Sequence, residues 1–330
     1  MTMKKALIDI QSLHVYFQVY EGLLKVLNGV DFTVMRGEKV GLIGETGCGK
    51  TTTMKAIMRI LPALSTRIPK GKIFFDEKDI LEMSQKEIQH VRRRNISMVF
   101  QDPTAALNPV FKVGDQLMDV IKYSNIDETG ENLSEDEIKA QAIQVLKEVA
   151  LPDPERMLEN YPIQLSGGMR QRVCMAMALV SARDLLIADE PGTNLDVTIQ
   201  DQILRLLSEL VKGKGTSVIL ISHALGAVRG LVDRVYVMYA GSMIEVAKTD
   251  DLFEDPLHPY ANGLLRAVPK LTGGGIPEGI EGRIPDYLNP PKGCRFFPRC
   301  HKAMQICKEN KPPFFDVGDA HEVACYLYQE

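Results

Sequence analysis

A chain of 330 residues with 45% hydrophobic and 25% charged residues has the composition of a folded globular protein, with room for about two domains. Its formal net charge of −4 offers no basic field for nucleic acid. Unbroken apolar stretches such as Val173–Val180 and Val218–Ile221 fall far short of the about 20 residues that a membrane-spanning helix needs.

The run Met1-Thr2-Met3-Lys4-Lys5 leads into alternating strand-like residues rather than a signal-peptide core, so the chain is expected on the cytosolic side. Alternation over Leu7–Val19 and Val26–Val34 predicts two strands of a β-rich start. Lys39–Ile43 is a continuous apolar run, as suits a strand buried on both faces of a parallel sheet. A glycine-rich turn and a helix over Lys50–Ile60 follow, stopped by Pro62. Ser84-Gln85-Lys86-Glu87 is a capping box that opens another helix. Ile96–Phe100, Leu185–Ala188 and Ser217–Ser222 read as further buried strands. From about Ala105 to Ala182 the pattern is all-helical, with a polar tract at Asp127–Glu137 expected to be a solvated insertion. Strands alternating with helices predict an α/β fold with a mainly parallel sheet. Pro269–Glu330 holds eight of the 18 prolines and four of the six cysteines, so it reads as a separate, loop-rich appendage with little core of its own.

Gly44-Glu45-Thr46-Gly47-Cys48-Gly49-Lys50-Thr51, with Thr52 next, fits the phosphate-loop pattern G-x-x-x-x-G-K-[ST] between a buried strand and a helix. Glycines let backbone N–H groups wrap phosphate oxygens, Lys50 would reach the β- and γ-phosphates, and the Thr51 hydroxyl would ligate Mg²⁺. Cys48 is expected to be a spacer, not a nucleophile. Downstream, the apolar strand Leu185–Ala188 ends in Asp189 and Glu190. Leu165-Ser166-Gly167-Gly168-Met169 opens an apolar helix, which suits either an anion at a helix N-terminus or a serine cap with glycine hinges.

The Leu165–Met169 run resembles the signature of the ABC ATPases, and the other motifs stand in that family's order over residues 1 to about 250. The resemblance implies an ABC-type nucleotide-binding domain over 1–250, with an N-terminal antiparallel β part and an inserted helical subdomain at about 105–182, and a small cysteine-containing extension over 251–330. It further implies that Asp189 holds Mg²⁺ through water and that Glu190 polarises the attacking water as general base. Gln101 matches the glutamine that senses Mg²⁺ and the γ-phosphate, His223 the switch histidine, and Asp196 the aspartate that crosses the dimer interface. Phe17, with Tyr16 second, is the expected adenine-stacking aromatic. Ser166, Gly167 and Gly168 would face a nucleotide held by a partner chain, so that ATP closes a head-to-tail dimer and its hydrolysis reopens it. Two departures stand out: Pro191-Gly192-Thr193-Asn194-Leu195-Asp196 replaces the usual Pro-Thr-Thr-Ala-Leu-Asp, and Ala224 replaces the aspartate that usually follows the switch histidine.

Cys294, Cys300, Cys307 and Cys325 have the spacing C-x5-C-x6-C-x17-C. Disulfides are disfavoured in a reducing compartment, and four thiolates suit either a [4Fe–4S] cluster or zinc. The close cysteine pair usual for zinc is missing. Gly293–Cys300 and Asp255–Leu265 resemble the C-terminal extension of oligopeptide/dipeptide importer ATP-binding subunits, in which such cysteines bind a [4Fe–4S] cluster. His301 and His321 are expected at the surface rather than as ligands. The resemblance implies an ATP-hydrolysing subunit for di- and oligopeptide import, peripheral on the cytoplasmic face of the cell membrane. Its expected partners are two permeases, whose coupling helices would meet Asn108–Leu117, a second, non-identical ATPase and, indirectly, a solute-binding protein. The alternatives are a soluble ABC ATPase of translation, DNA repair or iron–sulfur assembly, and an importer of nickel or oligosaccharides.

Overall fold

The computed structural model of the chain describes residues 5–125, 133–193, 195–211, 215–267 and 279–329. Much of the tract Asp127–Glu137, and Asn194, lie outside these residues. The chain divides into two units: one comprises residues 1–35, 39–82 and 222–330, the other 36–38 and 83–221.

The first unit opens with β1 (Ala6–Val19) and β2 (Gly22–Met35), antiparallel partners whose register runs from Ala6↔Met35 to Val19↔Gly22. Their alternating apolar residues, Leu7, Leu13, Val15, Leu27, Val30 and Phe32 among them, are fully buried. Next, β3 (Lys39–Ile43) is buried from Val40 onward and delivers the chain to the glycine-rich loop and α1 (Lys50–Ile57). Then β4 (Thr66–Phe75) and β5 (Lys78–Asp79) complete a four-stranded sheet of order β2-β1-β4-β5.

The second unit starts at α2 (Gln85–Arg94), where the capping box forms as the sequence predicts: Glu87 N–H donates to Ser84 Oγ and Ser84 N–H to Glu87 Oε2. After β6 (Ile96–Val99) come the helices α3 (Pro103–Ala106), α4 (Val113–Asn125), α5 (Glu135–Glu148), α6 (Pro154–Glu159) and α7 (Gly167–Ser181). The all-helical expectation for this stretch holds, and part of the polar tract is the start of α5, capped by Ser134 with Glu137. β7 (Leu185–Asp189), α8 (Val197–Val211) and β8 (Ser217–Ile221) follow, and β6, β7 and β8 pair in parallel with β7 central.

The chain re-enters the first unit through α9 (Leu225–Leu231), β9 (Arg234–Tyr239) and β10 (Ser242–Lys248). β9 lies parallel to β3, Leu42 opposite Tyr236, and antiparallel to β10. After α10 (Thr249–Glu254), α11 (Pro259–Arg266) and α12 (Gln305–Glu309), the tail adds β11 (Phe315–Asp316) and β12 (Glu322–Val323) to the sheet edge, β12 pairing with β10.

The cysteine-rich tail is loop-rich, as expected, but it borrows its core from the first unit. Phe296, 3% exposed, packs against Tyr239 and Tyr260 at ring distances of 5.0 and 5.5 Å. His321 corrects the surface expectation: it is buried, and its Nε2 lies 2.8 Å from Oε1 of the fully buried Glu245. Buried carboxylates persist only when hydrogen-bonded, and Glu245 also accepts from the N–H groups of Leu257 and His258, both at 2.8 Å. His301 is exposed.

His258 caps α11: its Nδ1 accepts the N–H of Tyr260 at 3.0 Å, and burial pulls its imidazole down to about 3. In the unfolded chain the ring takes up its proton near pH 6.5. The folded state resists that proton, so the stability involved is complete above that value and is lost as pH falls below it. Between pH 7 and pH 5 the loss should reach about 2 kcal/mol. Urea unfolding across this range should show it, with a shallower slope in His258→Asn, which offers a cap without a titratable ring.

Candidate active site

The phosphate loop is held by the strands beneath it. Gly44 has φ +152 and a Cβ there would collide with the carbonyl oxygen of Met238 on β9, so no other residue fits. Gly49, φ +112, turns the chain into α1. The buried Lys50 ammonium donates to the carbonyls of Gly44 and Glu45 at 2.8 and 3.1 Å, inside the loop. Thr51 and Thr52 are half-buried in the first turn of α1. Cys48 is fully buried and burial pushes its thiol up, which makes it a poor nucleophile and fits its reading as a spacer.

The loop has further partners that motif reading misses. Glu45 N–H donates to Tyr260 Oη at 2.8 Å, the Glu45 carboxylate pairs with Arg299 at 2.9 Å, and Tyr287 Oη donates to the Gly47 carbonyl at 2.7 Å. The Gly241 N–H, in the turn between β9 and β10, donates to the Cys48 carbonyl at 2.7 Å. Tyr260, Tyr287 and Arg299 lie more than 200 residues from the loop in sequence, so no local pattern announces them. Also on the first unit, Phe17 is half-buried on β1, opposite Leu24 and Thr66, and His223 is exposed just ahead of α9.

In the second unit, β7 is buried throughout and delivers Asp189, 2% exposed, and Glu190, 9% exposed. Glu190 takes a left-handed backbone, φ +50, that turns it out of the strand line while its N–H donates to the Ile221 carbonyl at 2.9 Å. Its carboxylate accepts from Gln101 Nε2 at 2.9 Å and from Thr193 Oγ1 at 3.2 Å. The structure therefore brings the two sequence-predicted residues Gln101 and Glu190 together and adds Thr193.

Ser166 is the N-cap of α7, its Oγ accepting the Met169 N–H at 3.3 Å, and it is exposed. Gly167 and Gly168 press against Leu195 and Ile199: a Cβ would stand 2.9 and 3.0 Å from their side chains. Asp196 caps α8, accepting the Ile199 N–H at 3.0 Å.

The four tail cysteines, Cys294, Cys300, Cys307 and Cys325, line one small pocket. Burial raises the thiols of Cys294, to about 11, and of Cys300 and Cys325, and the neighbouring thiols add to each rise. Among the described residues no three His, Cys, Asp or Glu side chains converge as a single metal ion would require.

Residues 27–193 match the family model "ABC transporter", and residues 244–307 match "Oligopeptide/dipeptide transporter, C-terminal region". The chain is 44% identical over 329 residues to the dipeptide transport ATP-binding protein DppD of Bacillus subtilis, covering 99% of this chain and 96% of that one. It is 44% identical over 323 residues to the oligopeptide transport ATP-binding protein OppD of the same organism, covering 97% and 88%. Among solved structures it resembles cbiO1 of Clostridium perfringens, part of an ABC transporter complex, with a TM-score of 0.62 and 28% identity over 76% of this chain and 92% of that one. The ATP-binding cassette MJ0796, solved as a post-hydrolysis dimer with ADP and Pi, shares the fold with a TM-score of 0.64 and 24% identity over 73% and 98%.

Gln101→Glu would set a second carboxylate at hydrogen-bonding distance from Glu190. Two such groups resist ionising together, so the acid limb of the rate profile should move up by about one pH unit or more. Phosphate release measured against pH checks this.

Proposed function

The chain belongs to the ABC transporter family and carries the C-terminal region of its oligopeptide/dipeptide transporters, and from that premise we propose that it is the ATP-hydrolysing subunit of a membrane importer of di- and oligopeptides. The observation that carries the ATPase reading is Glu190, held at the end of a buried strand by Gln101 and Thr193.

In this reading the loop 44–52, through backbone N–H groups other than those of Glu45 and Cys48, and Lys50 bind the ATP phosphates, and Phe17 stacks on adenine. The donors expected for Mg²⁺ are the Thr51 hydroxyl, Asp189 and Gln101, hard oxygen ligands that suit it. When bound, Mg²⁺ neutralises charge on the phosphates. Glu190 takes the proton of the attacking water, and His223 hydrogen-bonds the γ-phosphate. Ser166, Gly167 and Gly168 face the nucleotide of a second ATPase, non-identical in this reading, and Asp196 lies at that interface.

Two features of the second unit support docking to permeases at the cytoplasmic face. A groove of about 200 Å³ is lined by Phe100, Ala106, Val120 and Met177. Nearby in sequence, Val110 and Phe111 are 72% and 52% exposed, more apolar surface than a solvated face requires. No helix among the described residues is long and apolar enough to cross a membrane.

For the tail, a [4Fe–4S] cluster fits better than zinc. Zinc needs four sulfurs about 2.3 Å from one point, whereas a cluster takes one thiolate per iron around a larger volume. The missing close cysteine pair and the four cysteines lining one pocket support this reading. Cys294, Cys300, Cys307 and Cys325 would release their protons on binding it, and it would staple a tail that is short of core.

Glu190→Gln should lower ATP turnover by about 10²–10⁴-fold while ATP binding persists; unchanged turnover would remove Glu190 as the base. Recovery of the tagged chain with integral membrane permeases supports the importer, and recovery with ribosomes or DNA alone would sink it. Purified without oxygen, the protein should be brown and contain iron and sulfide. A colourless preparation with stoichiometric zinc would overturn the cluster.

A further inference from the structure

The segment Cys294–Cys300 has two faces. Cys294 and Cys300 line the thiol pocket. Between them, Arg295 and Arg299 reach the strands and loop that carry the phosphate site. Phe296, packed on Tyr239 and Tyr260, pins the segment in place.

Arg299 has a side chain only 5% exposed and every arm engaged. Nη1 donates to Glu45 Oε2 at 2.9 Å and to Tyr239 Oη at 3.3 Å, Nη2 to the Ile280 carbonyl at 3.0 Å, and Nε to the Glu281 carbonyl at 2.7 Å. Arg295 donates to the carbonyls of Ala240 and Lys25 and lies over the Tyr287 ring at 5.7 Å. Tyr287 is fixed a second time, its carbonyl accepting the Lys25 N–H at 2.9 Å, and its hydroxyl holds Gly47. Tyr260 Oη, fed from α11, holds the Glu45 N–H.

The loop is therefore gripped from outside at both of its turns. Tyr287 fixes the Gly47 carbonyl, Tyr260 fixes the Glu45 N–H, and the Cys48 N–H donates to the Glu45 carbonyl at 3.2 Å, so the orientation of the turn at residues 45–48 is set before a phosphate meets the other N–H groups of the loop. Holding that orientation in advance removes an ordering cost from nucleotide binding.

We propose that Arg299, Tyr287 and Tyr260 are positioning residues for the phosphate loop, and that the thiol pocket sets nucleotide affinity through the segment Cys294–Cys300 that it shares with them. This rests on the reading of residues 44–52 as the ATP site. None of these three side chains is assigned to touch ATP; each acts through the loop.

The test is equilibrium binding of Mg-ATP to the purified full chain, with thermal melting of each variant alongside. Tyr287→Phe removes one hydroxyl and should raise Kd about five- to tenfold, the worth of one hydrogen bond. Arg299→Met should do at least as much, and Arg299→Lys, which keeps a charge for Glu45, should recover part of the loss. Cys300→Ser should also raise Kd, and adding Arg299→Met to it should cost less than Arg299→Met alone, because the two act through one segment. Gln305→Ala, an exposed change in the same tail, should bind as the wild type does. Wild-type affinity in both Tyr287→Phe and Arg299→Met overturns the positioning role. So does a rise no larger than that of Gln305→Ala. Wild-type affinity in Cys300→Ser removes the thiol pocket from it. Should Arg299→Met fail to fold, Tyr287→Phe still decides. A wild-type chain that does not bind Mg-ATP, or whose binding survives Lys50→Ala, would instead refute the underlying site.

Discussion

The first unit is organised around one backbone requirement: the loop of residues 44–49 must hold a single conformation, with its Glu45 N–H and its Gly47 and Cys48 carbonyls tied to the structure around it. That demand explains why Gly44 can carry no side chain where the Met238 carbonyl approaches. It explains why β9 runs parallel to β3, since β9 supplies that carbonyl and then, at its end, the Gly241 N–H that ties down Cys48. It also gives the tail its place. Without outside partners, the carbonyls of a glycine-rich loop would be free to rotate, because glycine loses the most conformational freedom on ordering. Tyr287 and the Gly241 N–H hold the Gly47 and Cys48 carbonyls, and Lys50 holds those of Gly44 and Glu45.

The second unit solves a different problem, which is how to hold a carboxylate ready without neutralising it. Glu190 sits in a left-handed conformation that costs a non-glycine residue about 1–3 kcal/mol. The buried strand behind it leads into that turn, and the uncharged side chains of Gln101 and Thr193 donate to its carboxylate. A lysine in either place would pair with it and blunt its proton affinity. The signature serine shows a similar economy. A hydroxyl has one donor and two acceptor sites, so Ser166 can cap α7 through an acceptor and still present its O–H outward. The cap reading and the anion-site reading are compatible, and the cap orients the hydroxyl.

What the sequence reveals follows from the range of each interaction. The paired strands Ala6–Val19 and Gly22–Met35 are legible because each buries one face and alternates. The hairpin Arg234–Tyr239 and Ser242–Lys248 is buried on both faces, leaves no alternation, and is missed. Thr66–Phe75 is obscured by Pro69 and Gly71 within the strand. The Ser84 cap is read correctly, while the same pattern at Ser134 and Glu137 is hidden by the acidic tract around it. Phosphate-loop and signature residues are legible because their chemistry demands fixed local spacing. His321 reads as surface because nothing nearby in sequence shows Glu245, 76 positions away. The loop braces Tyr260, Tyr287 and Arg299 are invisible for the same reason.

The tail then poses a question of economy that its contacts answer. A loop-rich segment with four cysteines cannot fold on apolar burial alone. It is stabilised by contacts that are not its own: the aromatic faces of Tyr239 and Tyr260, the edge of β10, and the buried Glu245 that gathers His321 with two backbone donors. Each of those anchors also borders the nucleotide loop or the strands that carry it. Tyr239 shares Arg299 with Glu45, and Tyr260 holds the Glu45 N–H. A tail folded on such anchors cannot loosen without releasing the loop, and a loop that moves must disturb the tail. Coupling between the thiol pocket and the phosphate site therefore requires no dedicated device, because it follows from one set of side chains serving as the core of the tail and the frame of the loop.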